Sequence, residues 1–378
     1  MSSVLEREQS CFDQAAREFR DRLIIFGAGE LGRAVGHHLI KIGYAPRFYA
    51  DNDPRRCGSK ILDVPILSTT DAVERYSNSA CFIVAIYNGS IVRRQLRDLG
   101  CKTVLHFAPI FWKYPNGRIQ AEAIGCPSRV LKNIESIYEA YSCLADDKSR
   151  YVFCEQLRWR VLLNSESMEP PSPTSQLYVA PELISSSDND VFVDCGAFDG
   201  DSIRQFLTHN CNKFRQIIAL EPDSANFNKL RSWVNHLPVS VGSRITILPY
   251  ALGEKRQKVQ FDEGNLVGSR ITKVDSDGGT DCAPLDEIVA HHKPTFIKMD
   301  IEGAEPHAIL GARTVLTQHQ PVLAACVYHK SEHLWQLPSL IHSISRSHEI
   351  YLRRYAEDCW ELVCYAVPQH RIPTPSTY

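Results

Sequence analysis

The 378-residue sequence predicts an α/β chain with two Rossmann-like domains, the second built on a seven-stranded sheet that ends in a β-hairpin. Three observations predict it. Short apolar runs alternate with helical patterns in both halves, which implies parallel sheets. In the C-terminal half, Val191–Asp194 and Phe296–Asp300 are apolar runs that stop at an aspartate beside a small-residue turn. The last two runs, Glu349–Tyr355 and Trp360–Ala366, are separated by so short a turn that they read as antiparallel partners.

Residues 1–20 read as a lead helix, charged and without the apolar core of a signal peptide. Residues 21–115 form the first domain. Its strands are Leu23–Phe26, Arg47–Ala50, Ala80–Ile86 and Thr103–Phe107. After the first strand comes Gly27-Ala-Gly-Glu-Leu-Gly32, then a helix that stops at Gly43. Asp51 closes the second strand, 19 residues beyond Gly32 (51 − 32). A glycine turn between strand and helix, with an acid at that distance, fits a nucleotide site. Gly27, Ala28, Gly29, Leu31, Asp51 and Asn52 are its candidate ligands. The alternative is a sheet domain kept for scaffold or dimer contacts. Residues 116–180 follow as a helical connector and the proline-rich linker Glu169–Ser175.

The second domain is placed at 181–378, with strands at 191–194, 216–221, 244–249, 295–300, 321–328, 349–355 and 360–367. Seven strands closing in a hairpin is the order of a class I methyltransferase sheet. In a parallel sheet, the carboxyl ends of the strands lie together where ligands bind. Two acidic strand ends there suit a cationic, hydroxyl-rich ligand, and S-adenosylmethionine is one. Gly196 and Ala197 let a ligand approach the backbone, with Phe198 and Ser202 following in the same turn and helix start. Asp194 can accept from the ligand's ammonium. Glu221, 25 residues after Gly196 (221 − 196), can take both ribose hydroxyls, with Pro222 beside it. Tyr250, Ala251 and Leu252 can flank an adenine. Asp300, Glu302 and His329 are the candidates for catalysis: a histidine near its ordinary pKa can deprotonate a hydroxyl. A metal-free site is preferred over one in which the three hold a divalent cation.

Composition narrows the partners. The net charge of −2 and the lack of a long basic run give no reason to expect nucleic acid. The 13 cysteines are scattered without a Cys-x-x-Cys pair, which suits a reducing, cytoplasmic setting. No stretch reaches the ~18 apolar residues of a membrane span. A homo-oligomer is compatible with all of this.

Residues 181–367 resemble the FkbM-type methyltransferases. The resemblance is carried by Val191–Phe206, Ile217–Leu230, Tyr250–Glu254, Pro284–Ile288, Phe296–Leu316, Tyr328-His-Lys330 and the closing hairpin. It implies S-adenosylmethionine-dependent O-methylation of a glycan, nucleotide-sugar or secondary-metabolite hydroxyl. Residues 21–110 resemble the nucleotide-binding domains that precede bacterial sugar-modifying enzymes, through Ile24–Gly36, Tyr49–Pro54, Val64-Pro-Ile66 and Ala85–Asn88. That implies a nucleotide or nucleotide-sugar in the first domain. Asp262–Ala283 departs from the pattern and is expected to hold acceptor contacts. Two rival readings stay open: an NAD(P)-dependent oxidoreductase using the first domain, and a nucleotide-sugar-binding scaffold with a degenerate methyltransferase domain.

Overall fold

The structure, a computed structural model, describes residues 2–115, 122–166, 168–262, 270–274 and 279–374. It divides into two units. One comprises Met1–Ile134, Glu155–Pro170 and Ala356–Trp360, the other Glu135–Cys154, Pro171–Tyr355 and Glu361–Tyr378. The segment expected as a connector, 116–180, is shared between them. No helix among the described residues is long and apolar enough to cross a membrane.

The first unit holds a six-stranded sheet. Its strands are β1 (Leu23–Phe26), β2 (Phe48–Asp51), β3 (Lys60–Ile61), β4 (Val64–Ser68), β5 (Cys81–Val84) and β6 (Thr103–His106), in the order β3-β4-β2-β1-β5-β6. All neighbours are parallel except β3 and β4. The β3–β4 pair was not anticipated, because two- and five-residue strands with mixed exposure carry little periodic signal. The central strands β1 and β5 are buried on both faces, as parallel strands between helices are. The lead helix, Ser2–Glu18, is amphipathic. It buries Phe12 and Ala16, and Glu8 accepts from the Ser128 backbone N–H at 2.7 Å. Arg93 and Asp358 form a buried ion pair at 2.6 Å, and Trp159 donates to the same carboxylate at 3.0 Å.

The second unit holds the seven-stranded sheet. Its strands are β7 (Val191–Cys195), β8 (Gln216–Leu220) and β9 (Ile245–Leu248), and then four short strands of a separate sheet, β10 (Ala251–Leu252), β11 (Gln257–Asp262), β12 (Arg270–Val274) and β13 (Thr280–Ala283). The main sheet resumes with β14 (Phe296–Met299), β15 (Val322–Cys326), β16 (His348–Arg354) and β17 (Leu362–Pro368), in the order β16-β17-β15-β14-β7-β8-β9. Strands β7, β8, β9, β14 and β15 are parallel, while β17 runs antiparallel to both β15 and β16. This is the expected seven-stranded methyltransferase sheet with its closing hairpin. The small sheet, ordered β10-β13-β11-β12, occupies much of the stretch expected to hold acceptor contacts. The rest of that stretch, 263–269 and 275–278, lies outside the described residues.

Two features lock the sheet. Phe192 on β7 stacks on Phe206 at 4.4 Å between centroids, joining sheet to helix. At the far end of the chain, Arg371 pairs with Asp190, just ahead of β7, at 2.8 Å and donates to the Ser185 carbonyl at 2.9 Å. The Ser185 N–H returns a bond to the Arg371 carbonyl at 2.8 Å.

Candidate active site

The carboxyl ends of β7, β8 and β14 open on a cavity of about 810 Å³. Its floor is made by close backbone approach. Gly196 has φ +80°, and a Cβ there would lie 2.0 Å from the Asp300 carbonyl oxygen. Only glycine leaves the turns after β7 and β14 in contact. The N–H groups of Gly196 and Ala197 both donate to the Leu220 carbonyl at 3.0 Å, so three strand ends are tied at one point.

Of the residues expected to bind a cofactor, Gly196, Phe198, Glu221, Pro222, Tyr250, Ala251 and Leu252 line this cavity. Glu221 stands at the tip of β8. One of its oxygens accepts from the Phe198 N–H at 2.7 Å and the other from the Asp223 N–H at 2.9 Å. Burial pushes its carboxyl up to about 7, against the pull of those two bonds.

Three expected positions fall elsewhere. Asp194 is fully buried and outside the cavity wall. Lys298 lies directly opposite it on β14, and its ammonium pairs with the carboxylate at 3.1 Å. Ser202 donates to the other carboxylate oxygen. Both carboxylate oxygens are turned to Lys298 and Ser202 inside the fold and neither reaches the cavity, so the expected contact with a ligand's ammonium is corrected: Asp194 anchors Lys298. That lysine in turn donates to the Gly196 carbonyl at 2.7 Å and so holds the turn after β7 from beneath. Ser202 belongs to the same anchor, and Ala197 is buried within the turn. Burial pulls the Lys298 ammonium toward neutrality, but the carboxylates of Asp194 and Asp300 outweigh it and keep it charged.

Asp300 and Glu302 line the cavity; His329 stands behind them. His329 is buried, with Nε2 3.1 Å from Asp300 and 3.7 Å from Glu302, and Nδ1 2.9 Å from Glu305. Burial alone would depress the imidazole. Glu305 and Asp300 overcome it and raise it well above the ordinary histidine value. A histidine that stays protonated between two carboxylates is no base, so that expectation is corrected as well. Asp300, Glu305 and His329 also bring ligand-type atoms within 4.8 Å of one another. The two carboxylates, however, stand at different ring nitrogens, which is the geometry of a clamped imidazolium. Burial would raise the Asp300 carboxyl, but His329 and Lys298 hold it well below the carboxylate range. Glu302 differs: its burial dominates and raises it. It is held at φ +55° on the turn before the helix Glu305–Leu310. Asp300 is thus a fixed anion, and Glu302 the carboxylate able to take up a proton.

Lys298, Glu305 and Tyr178 were missed by sequence reasoning. A lysine inside the buried run Phe296-Ile-Lys-Met299 is a signal, because such a strand tolerates an ammonium only opposite an acid. Glu305 opens the helix Glu305–Leu310, and its side chain turns back to accept from the Ile301 N–H at 3.0 Å. Tyr178 comes from an irregular segment, where no periodicity marks it.

In the first unit, Gly27 has φ +107°, and a Cβ on Gly32 would fall 1.7 Å from the Gly27 carbonyl oxygen. The Ala28 N–H donates to Asp51 at 2.7 Å, and the Asp53 N–H and Arg56 bond to the same carboxylate at 2.8 and 3.1 Å. Asp51 therefore clips the glycine turn to β2. Gly29 opens the following helix, Glu30–Lys41. Leu31 is buried in that helix's packing face rather than offered to a ligand. Asn52 bonds Gln95 and Thr69 at 3.0 and 2.7 Å.

A family model, the methyltransferase FkbM domain, matches residues 194–351. The chain is similar to the crystal structure of methyltransferase FkbM from Methylobacillus flagellatus KT, with 26% identity and a TM-score of 0.76 over 97% of this chain and 98% of that one. It also matches a precorrin-6y C5,15-methyltransferase from Geobacter metallireducens GS-15, at 11% identity and a TM-score of 0.33 over 54% of this chain and 96% of that one. A third match is RSP, a Rex-family repressor, in complex with β-NADH, at 28% identity and a TM-score of 0.20 over 22% of this chain and 44% of that one. No curated protein matches the chain.

Proposed function

The chain is a methyltransferase with an FkbM domain at residues 194–351, and on that premise we propose that it transfers a methyl group from S-adenosylmethionine to a hydroxyl of a glycan, nucleotide-sugar or secondary metabolite. The observation that carries this reading is that Glu221, just past β8, and Asp300, just past β14, line the same cavity. Glu221 accepts the ribose diol, Tyr250–Leu252 flank the adenine, and the fixed charge of Asp300 faces the sulfonium. The acceptor oxygen attacks the methyl carbon as the carbon–sulfur bond breaks, its electron pair passing to sulfur. The hydroxyl proton passes to Glu302 and then to water. Most of the acceleration comes from holding the reactants in line, with a further contribution from the base.

Calorimetry with S-adenosylmethionine tests this reading. Because burial pushes the Glu221 carboxyl up to about 7 and the diol binds its ionised form, affinity should rise with pH between about 6 and 8. Below pH 7 it should fall by up to about tenfold per unit. Glu221→Gln should flatten that dependence, and Glu221→Ala should weaken binding by about 1–3 kcal/mol. A parent chain with flat pH dependence, or a Glu221→Ala variant of parental affinity, would overturn the assignment.

The first unit, in the same reading, binds a nucleotide or nucleotide-sugar and does no redox chemistry. The clipped turn Gly27–Gly32 supports it: its backbone is held open ahead of a twelve-residue helix, and helix N-termini favour phosphate. Thermal shift of the full chain against UDP-sugars, GDP-sugars and NAD(P)(H) should show stabilisation by a nucleotide-sugar, and less of it in Gly29→Val. A response to nicotinamide cofactors alone would reverse the reading in favour of a dehydrogenase-like unit.

A further inference from the structure

Tyr178 reaches the cavity from outside the matched domain. It follows the turn Thr174–Gln176, and its backbone has φ +64°, a conformation that bulky side chains avoid. Such strain persists where surrounding bonds over-determine it, and here they do. Gln205 donates to the Thr174 and Leu177 carbonyls at 3.0 and 2.7 Å, and the Ala180 N–H donates to the Gln176 carbonyl at 2.9 Å. The strained backbone delivers the phenol to Asp300, to whose Oδ2 it donates at 2.8 Å. The ring lies over Lys298, with Nζ 5.3 Å from its centroid. Asp300 Oδ1 faces His329 at 3.1 Å and Tyr328 at 3.4 Å, both next to β15. Tyr178 holds the other oxygen and is itself part of the cavity wall.

Resting on the S-adenosylmethionine reading above, we propose that Tyr178 is a positioning residue. Its hydroxyl fixes the Asp300 carboxylate toward the sulfonium, so the methyl-transfer site is complete only with the segment ahead of residue 194. The phenol is buried beside an anion, which favours its protonated, hydrogen-bond-donating form. Without the bond, Asp300 keeps its charge through His329 but loses the constraint on its plane. The consequence falls on the cationic ligand and spares the neutral sulfide product.

The test is calorimetry of the full chain with S-adenosylmethionine and S-adenosylhomocysteine, for the parent, Tyr178→Phe, Asp300→Asn and the double variant. Tyr178→Phe should bind the homocysteine product within about twofold of parent and the methionine form about threefold to tenfold more weakly, the range of one lost hydrogen bond. In the Asp300→Asn background, Tyr178→Phe should have no further effect on the ratio of the two affinities. A ratio unchanged in Tyr178→Phe, or both ligands weakened alike, would overturn the proposal, since mere packing predicts either. A parent chain that binds neither ligand removes the cofactor reading itself, and the proposal with it. That outcome is distinct from a parent that binds both and a variant that keeps the ratio.

Discussion

Lys298→Met should destabilise the second unit by about 3–5 kcal/mol in urea unfolding, the usual cost of stranding one member of a buried ion pair. The partner left behind is Asp194, fully enclosed and then stabilised by Ser202 alone among its present side-chain partners. The size of the effect comes from the desolvation of that carboxylate, which the methionine shares no charge to offset. The deficit has a pH signature. An unpaired buried carboxylate takes up a proton more readily than a paired one, and the protonated form is cheaper to bury. The difference between variant and parent should therefore be largest at neutral pH and shrink as pH falls toward about 4. A second substitution separates charge from shape. Adding Asp194→Leu to Lys298→Met removes both charges and should recover most of the stability, since paired replacement of buried ions by apolar residues is often close to neutral. It should not recover cofactor binding, because the Gly196 carbonyl loses its donor in both variants. Parental stability of Lys298→Met would show that Asp194 and Lys298 do not depend on each other.

Glu302→Gln should lower kcat by about 10²–10⁴ with the native acceptor and labelled S-adenosylmethionine, the range for a general base. Cofactor affinity should stay within about twofold, since the proposed reading gives Glu302 the acceptor's proton and no contact with the cofactor. The parent's kcat should rise with pH as Glu302 ionises, from a pKa lifted by burial, and the glutamine variant should lose that limb. The contrast with His329 sharpens the test. His329→Ala removes the cation that lies between Asp300 and Glu305 and leaves the buried Glu305 and the half-buried Asp300 without it. Its first effect is on folding, and its second is a rise in the Asp300 carboxyl toward ordinary values. Turnover of Glu302→Gln equal to parent would remove Glu302 from the chemistry.

The parallel strands of the main sheet were legible because strands buried on both faces are near-continuous apolar runs, as Val191–Val193, Ile217–Leu220 and Val322–Cys326 are. Their tips were legible too, since an acid beside a glycine at such an end is a conspicuous exception to the run. What each acid does was not legible. Asp194 and Glu221 look alike in sequence, yet one is sealed against Lys298 and the other opens on the cavity. The difference lies in which residue the neighbouring strand sets opposite, a matter of register. His329 was misread for a related reason: an ordinary pKa was assumed, and the value depends on Glu305, which is 24 positions earlier (329 − 305). The small sheet β10–β13 escaped because its strands, of two to six residues, are too short to carry a sustained period. Tyr178 escaped because an irregular segment has no period from which to depart.

The pairing of Arg371 with Asp190 and Ser185 brings the entrance and exit of the catalytic sheet side by side. The sheet is tied like a loop of rope, its first strand and its last drawn to one knot that no ladder hydrogen bond supplies. Untying it, as Arg371→Ala would, leaves all seven strands paired and frees the sheet's two loose ends to fray.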